Sequence, residues 1–405
     1  MPVLKNISRL YTCRDEGLQK EVFPVENATL AWIGDTIVWS GKERDLPAEY
    51  LNESSMDAEG GVVVPGFIDC HTHLAFGGWR ADEFEMRLKG KSYLEIAKEG
   101  GGILSTVKAT RQATEEELFA KCLRFLEKIK QSGVTSIECK SGYGLTVNDE
   151  LKTLRVYKRL KEVSECNIKT TFLGAHSFPP EYRGKHRAYI DLIINEMLPK
   201  VAKENLADFC DVFVEESAFN LSEAREILEA GKTFGLIPKL HADQLSTGGG
   251  AELAAEVGAI SADHLEHVSD AGIRKMAEAG VVAVNLPLAS LYTQQPFLNC
   301  RPLIDAGIPV AIATDFNPGS APSYDIHLAM LLSCMHGRLT PDECLKAVTI
   351  NAAKAIGIDK DHGSLESGKK ADFLVLHIPD FNFWIYHYNG SKITAIVLKG
   401  KRIHP

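Results

Sequence analysis

The 405 residues are 45% hydrophobic and 24% charged, the balance of an ordinary soluble globular protein with one large domain and a smaller companion. A formal net charge of −9 without basic clustering argues against a nucleic-acid surface, although one local arginine could still hold an anionic small molecule. Nine scattered cysteines with no Cys-x-x-Cys exclude a disulfide framework and a cysteine-rich zinc site.

In chain order, the first residues lack the charged-then-apolar pattern of a secretory leader, and no apolar run approaches ~18 residues, so a cytoplasmic, non-membrane protein is expected. Residues 29–33 and 36–39, joined by Gly34-Asp35, have the β-rich arms and small turn residues of a hairpin. Residues 371–376 and 393–398 are also strand-like. Two β-rich ends around a different middle predict one small β-sandwich built from residues 1–65 and 364–405.

The middle, 66–363, alternates. Strand-length apolar runs recur at 67–73, 134–139, 169–173, 209–214, 236–241, 259–263, 281–285 and 310–314. Charged segments of helical period lie between them. Residues 115–130 place Leu118, Phe119, Cys122, Leu126 and Ile129 on one stripe; 149–160, 222–230, 248–257 and 270–279 repeat the pattern, with Ser246 or Thr247 expected to cap 248–257. Eight strands in βα alternation is the number that closes a TIM-type (β/α)8 barrel. The glycine-rich phosphate loop of an open doubly wound sheet is missing.

Reactive residues of such barrels sit at the C-terminal ends of the strands. Strand one ends in His71-Thr72-His73, and period-two alternation sends both imidazoles from the same face. Strand two runs into Lys140-Ser141-Gly142-Tyr143-Gly144 and strand three into His176. Strand four ends at Glu215-Glu216, strand five in His241-Ala242-Asp243-Gln244 and strand six in Asp263-His264. Strand seven ends at Asn285, and strand eight runs into Asp315-Phe316-Asn317-Pro318-Gly319-Ser320. Any one histidine could be structural; five on one rim are not readily all so. A catalytic metal takes three or four protein ligands besides water. His71, His73, His241 and Asp315 supply three imidazoles and a carboxylate, a set suited to zinc or iron rather than calcium or magnesium. Water on such an ion ionises near ~7, and Asp315 would both ligate the metal and take the water's proton.

Pro65-Gly66-Phe67-Ile68-Asp69-x-His71-x-His73, the later histidine and aspartate, and residues 363–372 opening the second β segment together resemble the amidohydrolase superfamily over nearly the whole chain. Within it, residues 73–84, 99–103, 140–145, 172–176 and 314–320 resemble a branch acting in histidine degradation. That resemblance implies hydrolysis of the ring amide of 4-imidazolone-5-propanoate to N-formimidoyl-L-glutamate, with one divalent metal per chain. It gives Arg80, with Tyr143 as a second donor, the propionate carboxylate. His176 and Gln244 would hydrogen-bond the ring, and His264 would polarise the scissile carbonyl or pass a proton to the leaving nitrogen. The Asn317–Ser320 turn, including Gly319, would offer donors to the reacting end of the ligand. Related deaminases often carry glutamate three residues after the metal histidine; Gln244 stands there and cannot move protons, leaving that task to Asp315 and His264. No lysine ends strand four, so the modified lysine of binuclear relatives has no counterpart. The alternatives are an aminohydrolase acting on a purine or pyrimidine, whose substrate would not need Arg80, and a binding protein that has kept the fold. A homodimer is common for such folds.

Overall fold

The computed structural model describes residues 2–91, 95–96, 101–389 and 392–404. Glu99 and Gly100 of the glycine-rich 99–103 stretch lie outside the described residues.

Both ends of the chain build one sheet. β1 (Val3–Tyr11), β2 (Pro24–Ile33), β3 (Thr36–Lys42), β4 (Ser55–Asp57) and β5 (Val62–Pro65) precede the barrel. The barrel strands are β6 (Phe67–Thr72), β7 (Val134–Lys140), β8 (Asn167–Ala175), β9 (Phe209–Phe213), β10 (Ile237–Ala242), β11 (Ser261–His264), β12 (Val282–Asn285) and β13 (Val310–Ile312). Then β14 (Phe373–Leu376), β15 (Ile393–Leu398) and β16 (Lys401–His404) return to the first sheet. Its order is β16-β15-β14-β5-β1-β2-β3, with β4 on β1. The expected hairpin is β2–β3, turning at Gly34, whose φ of +61° a residue without a Cβ adopts freely.

The terminal β unit is a single hydrogen-bonded sheet folded over itself. β2 and β14 lie three places apart, ~14 Å in a flat sheet, yet Trp32 and Phe373 meet edge to face with centroids 5.2 Å apart. Alternation along these strands feeds two cores. Val63, Phe373, Val375 and Val397 enter the small core, while Val62, Val64, Leu374, Leu376 and Ile396 join the core shared with the barrel.

The eight barrel strands pair in parallel and in sequence order, and each predicted run falls on one of them. β13 is short, and the chain just beyond it makes the closing contacts to β6. Asp315 N–H donates to His71 O at 3.0 Å, and His73 N–H donates to Phe316 O at 2.9 Å. The buried Asp69 carboxylate accepts from Thr314 N–H and Oγ1 at 3.1 and 2.6 Å. The seam that closes the barrel is therefore the segment that carries His71, His73 and Asp315.

Helix Glu115–Gln131 opens with a reciprocal Thr114–Glu117 capping box and buries Leu118, Cys122, Leu126 and Ile129. Helix Gly250–Val257 corrects the expected cap. Ser246 Oγ instead bonds Glu215 and Thr247 Oγ1 bonds His267 O, while the Asp243 carboxylate accepts from the N–H groups of Gly248, Gly250 and Ala251 at 2.9–3.1 Å. A carboxylate complements the positive helix terminus better than a hydroxyl. Because Asp243 follows His241 by two residues, this cap also ties the helix to the end of β10. Among the described residues, no helix is long and apolar enough to cross a membrane.

Candidate active site

His71, His73, His241 and Asp315 meet at the C-terminal mouth of the barrel, all buried. One ring nitrogen from each histidine lies within 4.8 Å of the others. Asp315 Oδ1 sits 3.4 Å from Nε2 of both His71 and His73. Two of the imidazoles are fixed from behind. His71 Nδ1 lies 2.6 Å from Asp263 Oδ2, and His241 Nδ1 lies 3.1 Å from Asp211 Oδ1, which also accepts from His241 N–H at 3.2 Å. Each carboxylate accepts a hydrogen bond from Nδ1–H, so each Nε2 carries its lone pair into the mouth. His71 Nε2 and His241 Nε2 are buried without a hydrogen-bond partner. An unpaired buried nitrogen costs ~1–3 kcal/mol; two of them converging beside a carboxylate is an arrangement that a cation satisfies. Burial holds the His241 imidazole down at about 3 and lowers His73, keeping both in the neutral form that ligates metals.

Beneath this cluster the barrel interior is charged. Glu138, Lys140, Asp211, Lys239 and Asp263 are fully buried. Lys140 Nζ lies 2.8 Å from Glu138, 2.8 Å from Asp211 and 3.4 Å from Asp263. Lys239 Nζ lies 3.1 Å from Glu138 and donates to Ala355 O at 3.0 Å. Burial works against the charge on Lys140, but Asp211, Glu138 and Asp263 outweigh it and raise the ammonium's pKa above the ordinary lysine range. Of this layer, strand-end reasoning reached Lys140 and Asp263 but not Glu138, Asp211 or Lys239. The layer's signal was present as the period-two pairs Asp69/His71, Glu138/Lys140, Lys239/His241 and Ser261/Asp263, whose members share a face.

The other predicted residues ring the mouth. Tyr143 and His176 flank His73, with ring centroids 5.6 and 5.2 Å from it, and His176 stacks on His73 within 13° of parallel. The buried Glu150 carboxylate accepts from the N–H groups of Gly142, Gly144 and Leu145, so it shapes the loop that presents Tyr143; sequence reasoning missed it as well. The His264 ring lies 5.4 Å from that of His241 and 5.9 Å from that of His71. His264 and Leu265 both adopt positive φ, +82° and +71°, as does Asp315 at +53°. Such strain concentrates at functional sites and persists only when the surroundings impose it. Gln244 is half-buried on a loop pinned on one side by Asp243 and on the other by Glu215, which accepts from Leu245 N–H at 2.7 Å.

Arg80 is held by Glu83 through Nε at 2.9 Å and Nη2 at 2.8 Å. Its guanidinium lies against Gly319, where an added Cβ would fall 2.0 Å from Nη1. The expected donors of the 317–320 turn are largely engaged within it. Asn317 Oδ1 accepts from Gly319 and Ser320 N–H at 2.8 Å each, and Asn317 Nδ2 donates to Asp315 O and Ser320 Oγ. Asn317 thus fixes the turn between Asp315 and Arg80, and Gly319 supplies the room. Phe316 packs edge-on against Phe76 and Phe125, which joins the Asp315 loop to the Arg80 loop. Lys121 secures the latter by donating to Phe76 O and Gly78 O at 3.0 and 3.1 Å; burial brings its pKa down to about 8.

Residues 62–403 match the amidohydrolase family. The chain is 47% identical over 379 residues to an imidazolonepropionase of Geobacillus kaustophilus, covering 93% of this chain and 88% of the relative. It is 42% identical over 400 residues to an imidazolonepropionase of Thermoanaerobacter pseudethanolicus, covering 98% and 96%. Among solved structures it resembles a zinc-bound adenosine deaminase from Xanthomonas campestris, with a TM-score of 0.70 at 15% identity over 100% of this chain and 92% of that one. It also resembles the zinc complex of atrazine chlorohydrolase from Arthrobacter aurescens, with a TM-score of 0.68 at 15% identity over 100% and 95%.

Proposed function

Since the chain belongs to the amidohydrolase family, in its imidazolonepropionase branch, we propose how the residues of its barrel mouth carry out that branch's reaction. The protein is a hydrolase acting on a cyclic amide C–N bond in histidine degradation: 4-imidazolone-5-propanoate and water give N-formimidoyl-L-glutamate. The alternative of purine or pyrimidine deamination has less support.

His71, His73, His241 and Asp315 would hold one divalent metal, zinc or iron. The observation that carries this reading is the pair of buried, unpaired Nε2 atoms, each fixed from behind by a carboxylate. When bound, the metal brings the pKa of water down to ~7 and polarises a carbonyl. Asp315 accepts the proton of the attacking water. His264, whose ring lies beside those of His71 and His241, would polarise the scissile carbonyl or pass a proton to the ring nitrogen as the C–N bond breaks. Gln244, which cannot carry a proton, binds and orients the ring together with His176. Arg80 and Tyr143 hold the propionate, and the Asn317–Ser320 turn keeps Arg80 at the correct distance. We place the enzyme in the cytoplasm, where its nine free cysteines, eight of them buried, stay reduced.

The direct test follows the loss of ultraviolet absorbance of the imidazolone substrate. Metal-replete protein should turn it over, chelation should stop the reaction, and one equivalent of zinc or iron per chain should restore it. No turnover at full occupancy would defeat the assignment, and a need for two equivalents would defeat the mononuclear site. The Arg80 environment makes a second prediction. Gly319→Ala should displace the guanidinium and weaken a charge-assisted bond worth ~1.5–3 kcal/mol, raising KM by ~10–100-fold. The thermal midpoint should move by less than ~3 °C. An unchanged KM would separate Gly319 from substrate binding.

A further inference from the structure

We propose that Lys140 is a positioning residue for the metal centre, an internal ammonium that aligns two ligand histidines from opposite sides of the barrel. It lies on β7, a strand that carries no ligand itself, and is fully buried. An ammonium has three N–H donors, and its Nζ meets three carboxylates: Asp211 and Glu138 at 2.8 Å and Asp263 at 3.4 Å. Two of these have a second task. Asp211 accepts a hydrogen bond from His241 Nδ1–H, and Asp263 accepts one from His71 Nδ1–H. Lys140 therefore joins the supports of two ligands that stand on different strands, β6 and β10. Without it, Asp211 and Asp263 would be two buried anions with their common counter-charge removed. Each would be free to turn towards other donors and to carry its imidazole off line. Lys239 provides an internal control. It is equally buried and meets Glu138 at 3.1 Å and Asp263 at 4.0 Å, so it reaches the support of His71, but no contact with Asp211 is found among the described residues.

The inference rests on the reading of His71, His73, His241 and Asp315 as ligands, and metal binding by the unmutated protein checks that reading separately. Chelated protein is titrated with Zn²⁺ against a chromophoric chelator, and the Co²⁺ form is examined by visible absorption. If Lys140 acted only through its charge, Lys140→Met would make the pocket more negative and tighten Zn²⁺ binding. A positioning role has the opposite sign: Zn²⁺ affinity should fall ~10–100-fold, the range for loss of a ligand's supporting partner, and the Co²⁺ bands should shift. Lys239→Met makes the same chemical change at the same depth and should weaken Zn²⁺ binding less than Lys140→Met, because it reaches the support of one ligand only. Because Lys140→Met leaves a buried charge imbalance that can prevent folding, the Glu138→Gln/Lys140→Met double variant keeps the net charge of the network and should show the same weakening. Unchanged or tighter Zn²⁺ binding in the folded double variant, or equal weakening in Lys239→Met, would overturn the proposal. Failure of the unmutated protein to bind Zn²⁺ would instead remove the ligand assignment beneath it.

Discussion

Asp315→Asn is expected to lower kcat by ~10²–10⁴ while the protein stays folded, the range for losing a positioned general base. The substitution keeps the shape of the side chain and leaves the backbone contacts of the barrel seam, Asp315 N–H to His71 O among them, in place. What disappears is the carboxylate that sits 3.4 Å from both His71 and His73 and that, in the proposed mechanism, accepts the proton of the attacking water. An asparagine oxygen can still ligate, so metal content should fall less than activity. Steady-state kinetics paired with elemental analysis of the same preparation separates the two duties. Near-normal kcat at full metal occupancy would show that the proton goes elsewhere. Loss of activity in proportion to metal would make Asp315 a ligand and nothing more.

The residues most legible in the sequence were those whose placement follows from strand periodicity. His71 and His73 share a face because they are two apart, and the apolar runs marked the barrel strands even where, as in β13, the ladder is only Val310–Ile312. Long-range partnerships were not legible. Nothing near Asp211 in the sequence says that it faces His241, and the Lys140 contact to Asp263 joins residues more than a hundred positions apart. A buried lysine at a strand end reads locally as a surface charge until the three carboxylates around it are known. The internal bonding of the Asn317 turn was not legible for a related reason. The sequence shows donors, but whether a loop keeps them for itself depends on the path of its backbone, and here Asn317 Oδ1 takes two of them. The small β unit built from both termini was legible from its alternation; that a single hydrogen-bonded sheet folds over to form it was not, because two sheets would give the same alternation and the same buried face.

Arg80→Met is expected to reduce kcat/KM by ~30–1000-fold, mostly through KM, equivalent to ~2–4 kcal/mol for removing one partner of a desolvated charge pair. The size follows from how the guanidinium is held. Glu83 engages Nε and Nη2, the Gly319 backbone lies against Nη1, and the side chain is only 12% exposed, so a carboxylate meets an arginine already immobilised and largely stripped of water. Methionine keeps much of the apolar stem and removes the planar fork, which a lysine would not reproduce either. The decisive comparison uses a substrate analogue whose propionate is replaced by an uncharged chain. The unmutated enzyme should process it about as poorly as Arg80→Met processes the true substrate, and Arg80→Met should show little further loss, because the two changes delete the same interaction. Losses that multiply would mean that Arg80 supports the loop and that the carboxylate is bound elsewhere. Glu83→Gln completes the argument: it leaves the cation but loosens its hold, so its effect on KM should be smaller than that of Arg80→Met and should vanish in the Arg80→Met background.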